Sequence, residues 1–168
     1  MGKLFEWLKK EPGNRATLFL IFACLVIEVL YRYNIDSYLI SRHLIAPLGA
    51  KHKIPILTWH FPFFLLYAAA CEELVFRLPL GFLAERWGAS YKLLIGVILS
   101  SMLFGIIHGN PYHLLMQGVS GILYSMIFLK CGGSNRNYIK AFLSCIAAHF
   151  LYNIVATISH LINGVTSI

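Results

Sequence analysis

Between positions 93 and 107 no residue carries a charge, and further apolar runs occupy about 16–33, 56–83, 112–130 and 138–162. Short polar breaks such as Gly109-Asn110-Pro111 and the stretch 131–137 with Gly132-Gly133 divide them. An α-helix rises 1.5 Å per residue, so the run 16–33 is just long enough for a hydrocarbon core of roughly 30 Å. Backbone polar groups must be satisfied internally at that depth, which leaves an all-α bundle of about five transmembrane helices as the expected fold. Composition agrees: 58% hydrophobic and 12% charged, against roughly 45–50% and 25% in a soluble domain. The net charge of +7 does not point to nucleic acid, because the basic residues are scattered between apolar spans with no stripe of interleaved aromatics.

The basic residues read instead as topology signals. The amino terminus, the 84–92 turn and the 130–140 loop hold Lys3, Lys9, Lys10, Arg15, Arg86, Lys92, Lys130, Arg136 and Lys140, whereas the other face holds Arg32, Arg42, Lys51 and Lys53. The positive-inside rule then puts the amino terminus in the cytoplasm of a multi-pass cell-membrane protein and the carboxyl terminus outside. Residues 1–15 form a short basic amphipathic stretch, broken by Pro12-Gly13, that is expected at the membrane surface. Position 6 is Glu where a myristoylation signal wants Ser or Thr. The following apolar run shows no small-residue cleavage site and reads as a retained anchor. Near its end Glu28 and Arg32 stand at i,i+4, a structural pair expected to snorkel. Residues 34–54 are too polar to span and read as an interfacial helix and loop. Pro62 and Pro79 bracket the Glu-Glu motif of the second span, and a proline inside a membrane helix commonly kinks it. Cys24, Cys71, Cys131 and Cys145 have no paired spacing and read as small core residues. No internal repeat is visible.

Polar groups inside the spans are few: Glu72, Glu73 and Arg77 in the second, His108 at the end of the third, Gln117 in the fourth, His149 and Asn153 in the fifth. A charge in such a setting needs a partner or a task. On a helix Glu73 and Arg77 share a face and can pair, while Glu72 points about 100° away and is left as the unpaired acid. His108 precedes a helix break and stays within reach of water. His149 and Asn153 are four apart and face one way. A dehydrated carboxylate is a competent general base, and imidazole or carboxamide N–H groups can stabilise an oxyanion, so hydrolysis of a carbonyl bond fits. Glu72, His108 and His149 could alternatively hold Zn2+ with water as the fourth ligand, although no HExxH helix is present.

At these residues the chain resembles the CPBP intramembrane proteases (CAAX proteases and bacteriocin-processing enzymes, also called Abi), which include the prenyl-protein endoproteases. The family motifs EExxxR, FxxxH and HxxxN stand here as Glu72-Glu73-Leu74-Val75-Phe76-Arg77, Phe104-Gly105-Ile106-Ile107-His108 and His149-Phe150-Leu151-Tyr152-Asn153, in that order on successive spans. The resemblance covers about 56–163, a four-helix catalytic core, and leaves 1–55 as an amphipathic amino terminus, one span and an interfacial loop. It implies that Glu72, helped by His108, activates water and that His149 and Asn153 form the oxyanion hole. Glu73, Arg77 and Phe104 are then supporting residues. A glutamate mechanism without metal is favoured, with zinc as the alternative. The implied substrate is a membrane-associated protein or peptide. Two classes stay open for it: prenylated tails, and carboxyl-terminal sorting signals of exported proteins, which fit a site that opens away from the cytoplasm. Of other classes, a catalytically silent immunity or scaffold protein of the same fold has no need of all four site residues, and a proton-coupled transporter lacks its repeat. The GxxxG spacing of Gly105 and Gly109 serves either a dimer or the bundle itself.

Overall fold

The computed structural model describes residues 2–42, 60–88, 90–109 and 111–165. Among these residues six α-helices follow in order: α1 (Gly2–Lys9), α2 (Asn14–Ser41), α3 (Phe61–Trp87), α4 (Tyr91–Ile107), α5 (Pro111–Lys130) and α6 (Tyr138–Val165), with a 3-10 turn at Gly133–Asn135. No strand occurs among the described residues. The stretches Asn14–Leu39, Tyr112–Lys130 and Tyr138–Ser159 are long and apolar enough to cross a membrane, and Tyr91–Ile107 is a shorter apolar helix. α3 is as long as the others but carries Glu72, Glu73 and Arg77 in its middle. The outer faces present Phe19, Phe22, Phe63, Phe64, Ile107 and Leu143, each more than half exposed. In water such a surface would aggregate; in a bilayer it is the lipid contact. The protein is a helical integral membrane bundle.

Two elements differ from the sequence reading. α2 does not stop near residue 33 but runs to Ser41, so residues 34–41 continue the first span instead of forming an interfacial helix. The polar side chains that signalled an end are satisfied: Asn34 Nδ2 donates to the Leu30 carbonyl at 2.7 Å, and Tyr112 on α5 gives its hydroxyl to Asp36 at 2.5 Å. Glu28 is likewise not a snorkelling residue. It is 1% exposed, deep between helices, where the hydroxyls of Ser120 and Tyr124 reach it. The rest of the expected loop, 43–54, and the start of the second span, 56–59, lie outside the described residues.

Pro62 sits in the first turn of α3, where a missing N–H is harmless. Pro79 lies inside the helix, and in the turn it interrupts Ser100 of α4 donates its hydroxyl to the Phe76 carbonyl at 2.9 Å. Cys24, Cys131 and Cys145 are buried as expected, but Cys71 is exposed on α3 and is not a core residue.

Small residues let α4 and α5 touch. A Cβ on Gly105 would lie 2.7 Å from Leu114 Cα, and one on Gly121 would lie 3.0 Å from Ser101 Cα. Gly105 therefore packs the bundle itself, while Gly109, at φ +121°, makes the turn into α5. Backbone cannot yield as a side chain can, so Gly105→Val is expected to wedge α4 off α5. The expected loss is about 1–3 kcal/mol of stability, read as a lowered unfolding midpoint in detergent.

One end of the bundle is tied together by polar contacts. Lys130 at the end of α5 donates to the carbonyls of Trp7 and Lys10 and lies 4.4 Å from the Trp7 ring centre. Leu8 is buried beneath α1, Asn135 donates to the Lys9 carbonyl at 2.8 Å, and Lys140 donates to the Pro12 carbonyl at 2.6 Å. Arg136 pairs with Glu85 at 2.6 Å. The three basic segments of the topology count thus meet at a single end, and His108 with the α4–α5 turn lies at the other.

Candidate active site

Four helices, α3, α4, α5 and α6, meet around the second-span charges. Helical periodicity puts Glu73 and Arg77 of α3 on the inward face, and both are fully buried. Arg77 Nε donates to Glu73 Oε2 at 2.7 Å and Nη1 to Ser125 Oγ at 3.0 Å, while its guanidinium lies 5.5 Å from the Phe104 ring centre. The expected i,i+4 pair is present. Glu73 does more than balance a charge, because its second oxygen lies 2.8 Å from His149 Nδ1 on α6. Facing a carboxylate, that nitrogen carries its proton and donates. Cys145, one turn before His149, points its thiol at Glu73 Oε2 at 2.8 Å.

His108 caps the carboxyl end of α4, and its Nδ1 lies 2.6 Å from the Phe104 carbonyl of its own helix. A carbonyl can only accept, so Nδ1 is again the donor. Both imidazoles therefore have Nδ1 committed and present Nε2 to the same place. Glu72 occupies it: its Oε2 is 3.8 Å from His108 Nε2 and 3.8 Å from His149 Nε2. These separations are too long for hydrogen bonds, and Glu72 Oε2 is a buried atom without a hydrogen-bond partner. The side chain as a whole is 31% exposed and His108 is 26% exposed, whereas His149 is 8% exposed. Three atoms that accept in the neutral state of the rings converge with no donor among them. A water molecule, with two protons to give, fits that gap.

Phe104, 0% exposed, is the common wall of the site. Its ring meets those of Phe76, His108 and His149 edge-on at centroid distances of 5.1, 4.8 and 6.0 Å. Truncating it opens a cavity against all three, so Phe104→Ala is expected to cost about 3–5 kcal/mol, measured by thermal unfolding of the purified protein.

A comparison with protein families matches residues 54–155 to the Rce1-like description, type II CAAX prenyl endopeptidase Rce1-like. The chain belongs to the Rce1-like family. The match spans α3, α4 and α5 and most of α6, the elements that carry Glu72, His108 and His149. No curated protein and no solved structure gives a significant match.

Of the residues singled out in the sequence, the Rce1-like bundle brings together Glu72, Glu73, Arg77, Phe104, His108 and His149. Asn153 follows His149 by one turn of α6 and is half-buried, and its backbone carbonyl accepts from Thr157 at 2.8 Å. It shares the helix face of His149. Gln117 belongs elsewhere, accepting from Arg32 at 2.7 Å. Among the described residues no group of three His, Cys, Asp or Glu side chains is arranged to hold a metal ion, and Glu72 Oε2 stands 3.8 Å from each imidazole. Sequence reasoning missed Ser125, Cys145 and Tyr124. Cys145 could have been found, standing four before His149 on the same helix face. Ser125 and Tyr124 carry no such mark within an apolar helix.

Proposed function

We propose that this protein is an intramembrane endopeptidase that hydrolyses a peptide bond near the membrane-facing carboxyl-terminal part of its substrate, using water activated by Glu72. The observation that carries this reading is the unpartnered Glu72 Oε2, set 3.8 Å from each of two imidazole Nε2 atoms. Water bound there gives a proton to Glu72 as its oxygen attacks the scissile carbonyl, with His108 holding and orienting it. The carbonyl π pair moves onto oxygen. Once its Nε2 takes up a proton from solvent, His149, with Nδ1–H held by Glu73, donates Nε2–H to that oxyanion, and Asn153 adds its carboxamide N–H. On collapse the C–N bond breaks and the amine leaves with the proton that Glu72 received. Arg77 balances the charge of Glu73, and Phe104 walls the site beside both rings.

For the substrate, the basic residues gathered at the α1 end favour a cytoplasmic amino terminus in the cell membrane and a site opening on the opposite side. A carboxyl-terminal sorting signal of an exported protein suits that orientation; a prenylated cytoplasmic tail suits the reverse one. The test is cleavage of membrane-anchored peptides of both kinds by purified protein in lipid, run beside Glu72→Ala and beside a strong chelator. Cleavage lost in Glu72→Ala and kept with chelator is the expected result. Loss in both would replace the glutamate mechanism with a metal one, and cleavage of no peptide by an intact fold would point to a silent relative.

A further inference from the structure

Behind the site lies a second buried polar cluster that the chemistry above leaves unused. Glu28, on α2 and outside the family-matched residues, is 1% exposed. Tyr124 Oη donates to its Oε2 at 2.7 Å, Ser120 Oγ donates to its Oε1, and Arg32 Nη2 lies 3.5 Å from Oε1. Arg32 also donates to Gln117 at 2.7 Å and to Ser120 at 3.1 Å, and lies 4.4 Å from the Tyr152 ring centre. The cluster reaches the site through one ring. Tyr124, 1% exposed, stacks on His149 with centroids 4.8 Å apart and planes within 21°.

The hydrogen bond from His149 Nδ1 to Glu73 fixes one edge of the imidazole but leaves the ring free to turn about that bond. Turning would swing Nε2 away from Glu72. A parallel ring on its face removes that freedom, and the edge-on Phe104 at 6.0 Å is a wall, not a clamp. The phenol ring would itself slide along the bundle were its hydroxyl not anchored. Glu28 is that anchor, and Ser120 and Arg32 hold Glu28.

We propose that Tyr124 and Glu28 are positioning residues for His149, so that α2 completes the site from outside the family core. The inference rests on the proposed role of His149 in hydrolysis. Its test therefore has one readout that needs no activity. Protein labelled with 13C-histidine in lipid nanodiscs gives a His149 ring signal, assigned by its loss in His149→Gln. The stacked phenol shifts that signal upfield by its ring current. Tyr124→Leu is expected to move the signal downfield and to lower kcat by about 10- to 100-fold with KM nearly unchanged. Tyr124→Phe, which keeps the ring and loses the anchor, is expected to fall less, by about threefold to tenfold. Should Tyr124→Leu fail to fold, the pair at position 28 decides. Glu28→Gln retains an acceptor for the hydroxyl and is expected to restore most of the kcat that Glu28→Leu loses.

An unmoved His149 signal in Glu28→Leu, where the stacked ring stays and only its anchor is lost, or kcat equal in Glu28→Gln and Glu28→Leu, would reduce the cluster to a staple between helices and overturn the proposal. A His149 signal that moves in Glu28→Leu and returns in Glu28→Gln, in a protein whose wild type cleaves nothing, would uphold the positioning and sink the protease reading instead.

Discussion

Glu72→Gln is expected to lower cleavage by at least about a hundredfold, with thermal midpoint and helicity close to wild type. The side chain keeps its size and shape, so packing against α4 and α6 is undisturbed. What changes is proton chemistry: a carboxamide cannot take a proton from water at neutral pH. Its NH2 could also donate to either imidazole Nε2 and close the gap in which water sits. Stability should hold because Glu72 Oε2 has no hydrogen bond to lose. It could even rise, since an unpaired buried carboxylate oxygen costs free energy. A rate assay beside circular dichroism melts decides the matter, and a Glu72→Gln enzyme with wild-type turnover would remove Glu72 from the chemistry.

The second large effect is on stability. Arg77→Met fills nearly the same volume but leaves Glu73 fully buried without its guanidinium partner. Breaking a buried pair from one side typically costs about 3–5 kcal/mol, and for a chain of this length the midpoint should fall by roughly 10 °C. Adding Glu73→Leu to Arg77→Met removes the stranded charge and should recover much of the loss. Cleavage should not recover with it, because His149 Nδ1 then has no acceptor. That divergence separates the two tasks of Glu73, neutralising Arg77 and holding His149. If melting and cleavage recovered together, Glu73 would have no part in setting the imidazole.

The pairing of Glu73 with Arg77 was legible because both ends lie on one helix, where periodicity alone fixes who can meet whom. The convergence of Glu72 with His108 and His149 was not readable in that way. Three residues on three helices meet only once the packing is known, and it was the order of the motifs along the chain that tied them together. Asn153 was read from the same face as His149, which the helix confirms, while its role depends on substrate. α2 was cut short because Asn34 and Asp36 look like an exit from the membrane; the partner that makes Asp36 tolerable, Tyr112, stands 76 positions away. Glu28 was misread for the same reason. Near a helix end, a carboxylate beside an arginine at i+4 looks like a surface pair, and nothing in the local sequence announces Tyr124 and Ser120 on the far side of the bundle.

α4 has 17 residues and is about 25 Å long, several ångströms short of a hydrocarbon core of roughly 30 Å. A short span draws the lipid surface down toward its ends. At the end where His108 caps the helix, a bilayer drawn down in this way would bring its headgroup region toward the site. For the hydrolysis proposed above, water would then need no channel: a short helix would bring the aqueous boundary toward Glu72.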